Sequence, residues 1–277
     1  MERIKEALGK AEGLRRSNAA GDHKRQVGFV KPGMHSRLNG YQSGWYVEPV
    51  DVVPEILERN RIVSHTKTDP VHVVFDILRT KIFHAMQERA WTSLAVCSPT
   101  QGCGKSNVAV NLAFSMARQD DCRTVLVDLD LRRPTVAETL GLQPPCPLGH
   151  YLEDKSPLED SFVCVDDNLF FGLKTYRIKN SAEMMGHQKV REVLPLVNSN
   201  LDPTIVIVDL PPVLTSDDAI AFLSEVDCAI LIAEAGKTTA GQIEDSAQQF
   251  EGRTELLGVV LNKCREPIED NYGYGYS

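Results

Sequence analysis

The sequence predicts an α/β fold, a mostly parallel, doubly wound sheet with helices on both faces, and two observations predict it. From Trp91 onward, short runs of β-branched and apolar residues alternate with stretches of helix length, the pattern of repeated βαβ units. The runs are apolar almost without interruption, as in IVIVD at 205–209 and CAILIA at 228–233. Strands of that kind need cover on both faces, which parallel sheets receive from their crossover helices. A chain of 277 residues, 42% of them apolar, has enough material for one such core.

Taken in order, residues 1–17 place Ile4, Ala7, Leu8 and Ala11 at helical spacing and predict a short helix. Residues 18–70 lack sustained periodicity and are broken by glycine and proline, among them Gly28, Pro32, Gly33, Gly40 and Pro54. They predict an extended or partly ordered leader. Helical spacing resumes over residues 71–86, with Phe75, Leu78, Ile82 and Met86 on one face. Strands are expected at Ser93–Cys97, Thr124–Asp128, residues 169–173, Ile205–Asp209, and residues 228–233 and 257–261. Pro267 ends regular structure, and the chain closes on NYGYGYS. The division expected is a basic helix and leader over 1–70, an α/β domain over 71–266 and a tyrosine-rich tail over 267–277.

Charge and cysteine usage narrow the classes. The formal charge of −8 is uneven: residues 1–40 hold nine Lys and Arg against four acids, and the remainder is acidic. An acidic body disfavours general nucleic-acid binding, whereas a basic head suits an anionic membrane or partner. No apolar run approaches the roughly 18 residues of a spanning helix, and the charged start MERIKE lacks the pattern of a secretory signal. Seven cysteines in no metal-ligand spacing fit a reducing compartment. A cytoplasmic chain is expected.

Three motifs carry chemistry. AVCSPTQGCGKS, residues 95–106, runs from a strand through a glycine turn into a helix. Gly102 and Gly104 let successive N–H groups face one anion, and the helix N-terminus adds partial positive charge. Gly102, Cys103, Gly104, Lys105, Ser106 and Asn107 form the expected phosphate-contacting run, with Lys105 reaching the phosphates and Ser106 ligating Mg²⁺. Pro99 stands at the first position of the usual G-x-x-x-x-G-K-[ST] pattern. VLVDLDLRRP, residues 125–134, is a strand ending in Asp128 and Asp130, which alternation puts on one face. IVIVDLPP, residues 205–212, ends in Asp209, placed to hold Mg²⁺ directly or through water. All three motifs lie at strand C-termini, where open α/β sheets bind ligands.

Together these segments resemble the bacterial tyrosine kinases of capsule and exopolysaccharide synthesis, P-loop proteins related to Min/Par-type ATPases. The likeness covers residues 71–277 and extends to FDILRTKI at 75–82, DDA at 217–219 and LGVVLN at 257–262. It implies ATP and Mg²⁺ as ligands, with Ser106, Asp128 and Asp209 organising the metal. Asp128 becomes the group that draws off the tyrosine proton, with Asp130 supporting the metal site or its waters; Asn262 becomes an adenine contact; Gln101 and Arg132 stand in the second line. It also implies autophosphorylation of Tyr272, Tyr274 and Tyr276, self-association, a membrane polysaccharide co-polymerase or adaptor as partner, recruitment to the inner face of the plasma membrane, and a phosphotyrosine phosphatase.

Two features depart from the family pattern, and a third position separates the chain from the Min/Par relatives. The family's ring-forming E-x-x-R-x-x-R falls on Val73, Asp76 and Arg79, so only the last position is kept. Thr100 stands where Min/Par ATPases carry a signature lysine. Cys103 occupies a loop position read as a spacer, with an oxidisable thiol as the alternative. Two other readings of the same motifs are an ATP-binding regulator with little kinase activity and a Min/Par-like positioning ATPase.

Overall fold

The structure is a computed structural model, and it describes residues 44–47, 49–178 and 180–264. The predicted helix over 1–17 and the tail tyrosines lie outside the described residues.

In chain order the elements are α1 (Pro54–Arg59), α2 (His72–Gln87), β1 (Ser93–Cys97), α3 (Lys105–Ala117), β2 (Thr124–Asp128), α4 (Val136–Leu140), α5 (Leu148–Leu152), β3 (Phe162–Val165), β4 (Leu169–Gly172), α6 (Ser181–Met185), α7 (Gln188–Leu201), β5 (Ile205–Asp209), α8 (Asp217–Phe222), β6 (Cys228–Glu234), α9 (Ala240–Phe250) and β7 (Glu255–Asn262). The strands form one sheet in the order β3-β4-β2-β5-β1-β6-β7. Every neighbouring pair is parallel except β3 with β4.

Alternation along the strands divides the core into two layers. Leu94 and Val96 of β1 and Ile205 and Ile207 of β5 pack with α2, α3 and α4. Ala95, Cys97, Val206 and Val208 pack with α5, α7 and α8 on the other face. Near-continuous apolar strands are what two covered faces require. All seven cysteines are free thiols, and six are buried; burial pushes the Cys97 thiol up to about 12, so it acts as a small apolar side chain.

Two features depart from the sequence reading. The hairpin β3–β4 adds an antiparallel edge strand, FVCV, joined to LFFG by Asp166-Asp167-Asn168, with Asp166 at φ 60°. Acidic and amide residues between two apolar runs are the hairpin signal that was available. Part of the expected leader is also packed structure. Within residues 49–70, α1 forms, Leu57 and Ile62 are fully buried in the core, and Val50 N–H donates to the Cys164 carbonyl at 2.8 Å. Buried Asn111 of α3 binds this segment: its Oδ1 accepts the amides of Val63 and Ser64, and its Nδ2 donates to the Arg61 carbonyl.

Asp76 and Arg79, two of the ring-motif positions, turn toward the neighbouring helix. Asp76 pairs with Arg118 and accepts the Ser115 hydroxyl at 2.6 Å, while Arg79 donates to the Ser115 carbonyl at 3.0 Å. Both side chains therefore serve the α2–α3 packing.

Candidate nucleotide site

Strand order creates the site. β2, β5 and β1 are adjacent, and their register pairs Asp128 with Asp209 and Asp209 with Val96. Two carboxylate-bearing ends and the phosphate loop therefore leave the sheet side by side, at the edge where the strand order reverses.

In the loop, Gly102 and Gly104 have φ of 86° and 88°, a region that costs other residues roughly 1–2 kcal/mol. Their curl leads into the N-terminus of α3, forming an anion site lined by N–H groups. Pro99 does not open the turn, because Ser98 and Pro99 carbonyls accept the amides of Val213 and Leu214 at 2.9 and 3.2 Å. From the other side, Asn262 Nδ2 donates to the Cys103 carbonyl at 2.8 Å. Lys263 Nζ donates to the Gly102 carbonyl at 2.5 Å and pairs with Glu234 at 3.3 Å. The buried Cys103 thiol donates to the Thr100 carbonyl at 3.3 Å, as a spacer within the turn would.

Lys105 is only 7% exposed, and its ammonium lies 2.8 Å from Asp130 and 3.1 Å from Asp209. Burial alone would lower its pKa; the charges of Asp209 and Asp130 outweigh that and hold it above the ordinary lysine range. The Ser106 hydroxyl donates to the other Asp209 oxygen at 2.5 Å. Asp128 is fully buried and accepts the amides of Asp130 and Val136. Burial and the nearby Asp209 charge push its carboxyl up, against the pull of Lys105. Burial likewise raises Asp209, against Lys105 and Ser106.

The oxygens of Ser106 and Asp209 form a hard, adjacent donor pair that fits Mg²⁺, an ion that keeps several waters and takes few protein ligands. Among the described residues no group of three or more His, Cys, Asp or Glu side chains could hold a metal ion, so such an ion would complete its shell with phosphate and water oxygens.

Other side chains of the expected set have partners within the protein. The Asn107 side chain donates to the Asn60 carbonyl at 2.8 Å, which leaves its main-chain amide at the start of α3 for an anion. Arg132 is committed to fully buried Asp218, at 2.9 and 3.1 Å, and to Ser181. Gln101 is exposed on the loop. Lys174, which the motifs did not signal, lies buried beside the carboxylates.

Fold and site together define a nucleotide-binding P-loop NTPase. In agreement, a profile of the ParA family, described as NUBPL iron-transfer P-loop NTPase, matches residues 90–269. Among curated relatives, the tyrosine-protein kinase YwqD of Bacillus subtilis is 30% identical over 199 residues, covering 71% of this chain and 83% of YwqD. The tyrosine-protein kinase Etk of Escherichia coli K12 is 29% identical over 71% of this chain, which spans 27% of Etk. The solved kinase domain of Etk superposes with a TM-score of 0.68 at 25% identity, covering 84% of this chain and 96% of that domain. The chain belongs to the bacterial tyrosine kinase family. Among the described residues no helix is long and apolar enough to cross a membrane.

Proposed function

We propose that this chain transfers the γ-phosphoryl group of ATP to tyrosine, and that its own Tyr272, Tyr274 and Tyr276 are substrates. The observation that carries this reading is the meeting of Lys105 with carboxylates from two strands beside a glycine-curled anion loop, in a chain akin to YwqD.

In this scheme the loop amides and Lys105 bind the β- and γ-phosphates, with Lys105 drawn from its carboxylate partners. Ser106 and Asp209 would hold Mg²⁺, which would supply positive charge against the phosphates. Asp128 accepts the proton of the attacking tyrosine hydroxyl; the new bond is tyrosine oxygen to γ-phosphorus, the bond broken is that to the β,γ-bridging oxygen, and ADP leaves. Tyrosine alone ionises near pH 10, so a carboxylate beside its hydroxyl is needed to draw the proton off. Asp130 supports the site, and Asn262, at the rim of the loop, contacts adenine.

The activity serves capsule or exopolysaccharide polymerisation or export. A membrane co-polymerase or adaptor recruits the chain to the membrane's inner face through basic residues 1–17, self-association brings one tail to a neighbour's site, and a phosphatase resets the tail.

The test is phosphotyrosine formation with ATP and Mg²⁺, mapped by mass spectrometry. The expected result is phosphate on the tail, abolished by Lys105→Met. A tail unmodified with ATP, Mg²⁺ and a membrane activator present defeats the reading; ATP hydrolysis without phosphotyrosine then identifies a regulatory ATPase. Removal of residues 1–17 should release the chain from membranes, and unchanged fractionation refutes that role.

A further inference from the structure

Lys174 is the one feature of the carboxylate cluster that the scheme above does not use. It follows β4, the strand paired with β2, and is 0% exposed. Burying an ammonium costs several kcal/mol unless charge and hydrogen bonds compensate. Here Nζ donates to the Leu131 carbonyl at 2.9 Å, one residue beyond Asp130. The same carbonyl accepts the Ile178 amide at 3.0 Å, so the segment after β4 is stitched twice to the turn after β2.

That turn orients the acids. Asp128 Oδ1 accepts the Asp130 amide at 3.1 Å, and Asp130 Oδ1 accepts the Arg133 amide at 2.9 Å. Lys174 also acts on Asp128 and Asp130 through its charge: it pulls the Asp128 pKa down, while both carboxylates oppose the fall that burial imposes on Lys174. Charge balance gives the ammonium a role. Asp128, Asp130 and Asp209 are all buried, and Lys105 pairs directly with Asp130 and Asp209. A lysine that turns to phosphate cannot serve its carboxylates equally, whereas Lys174 is tied to the sheet side.

We propose that Lys174 is a positioning residue of the carboxylate site, a fixed cation that holds the 128–133 turn and its two acids in place while Lys105 engages phosphate. The role rests on the kinase reading for its chemistry but not for its structural readout.

The experiment compares the full chain with Lys174→Met and, should that variant not fold, Lys174→Gln, which keeps a donor for the Leu131 carbonyl. Hydrogen exchange is measured first, without nucleotide. Amides of residues 129–136 should exchange at least about tenfold faster, with those of the phosphate loop unchanged. The melting temperature should fall only slightly, because the Leu131 carbonyl keeps the Ile178 amide as a donor. Turnover should fall about ten- to a hundredfold, the scale set by a small misplacement of reacting groups. The KM for ATP should stay within about threefold, the split expected of a residue that acts on the transition state. Unchanged exchange of 129–136 overturns the proposal, as does a parallel loss of melting temperature, KM and turnover. A wild-type chain that forms no phosphotyrosine defeats the proposed function alone: the exchange experiment still decides the role of Lys174.

Discussion

Replacing Gly104 by alanine tests how the phosphate loop is held. At φ 88° an L side chain pays roughly 1–2 kcal/mol. The new Cβ would also fall inside the van der Waals envelope of Asn262 Nδ2. Because that atom ends a flexible side chain, the amide swings aside and gives up its 2.8 Å bond to the Cys103 carbonyl, a further loss of about 1 kcal/mol. The total, about 2–3 kcal/mol, corresponds to a fall in Tm of roughly 5–10 °C for a domain of this size. Gly252→Ala isolates the first component, since Gly252 has φ 71° and open space around its Cβ position. Thermal melting should place Gly104→Ala about 1 kcal/mol below Gly252→Ala by this account. Titration with a fluorescent ADP should show weakened binding for Gly104→Ala alone. Equal melting temperatures for the two variants, or wild-type nucleotide affinity in Gly104→Ala, would refute the fastening by Asn262.

Three further outcomes are expected. Lys105→Met leaves buried Asp130 and Asp209 without their directly paired ammonium, so alongside lost phosphotyrosine it should destabilise the chain by about 3–5 kcal/mol; chemical denaturation checks this, and full stability would show that other groups compensate. Asp76→Ala frees Arg79 and Arg118 from their shared carboxylate and should cost about 1–3 kcal/mol, with a melting temperature equal to wild type refuting the α2–α3 clamp. Stability should also depend on pH in a set direction: Asp128, ordinarily near 3.8, is pushed up to about 8 by burial and the Asp209 charge, so its contribution is present below 3.8 and is lost as pH rises through about 8. Lys174, pulled down to about 8 from 10.5 by burial, works in the opposite sense above that pH, because there the unfolded chain holds the extra proton. Metal-free melting curves should therefore fall from acid toward pH 8 and flatten in Asp128→Asn; a rise across that range contradicts the burial of an ionisable Asp128.

The sequence by itself determined the chemistry of each strand end. GCGKS, VDLD and IVIVD announce their strand, their turn and their functional atoms within a dozen residues, because local alternation and glycine conformation are properties of neighbouring residues. Five strand predictions fell on the observed elements to within a residue, and the sixth to within two. The antiparallel β3 escaped because four apolar residues have no period of their own. The burial of Leu57 and Ile62 escaped because α1 is short and its contacts are distant in sequence.

Only the tertiary structure decided what met what. Asp128 and Asp209 are neighbours because β5 inserts between β2 and β1 in one register, and no local pattern specifies that insertion. The same non-local packing took Asn107 to the Asn60 carbonyl, committed Arg132 to Asp218, and set Lys174 beneath the turn after β2. A side chain's partner depends on which segments the core brings together. That choice is made by burial summed over the whole sheet, which a motif a few residues long does not encode.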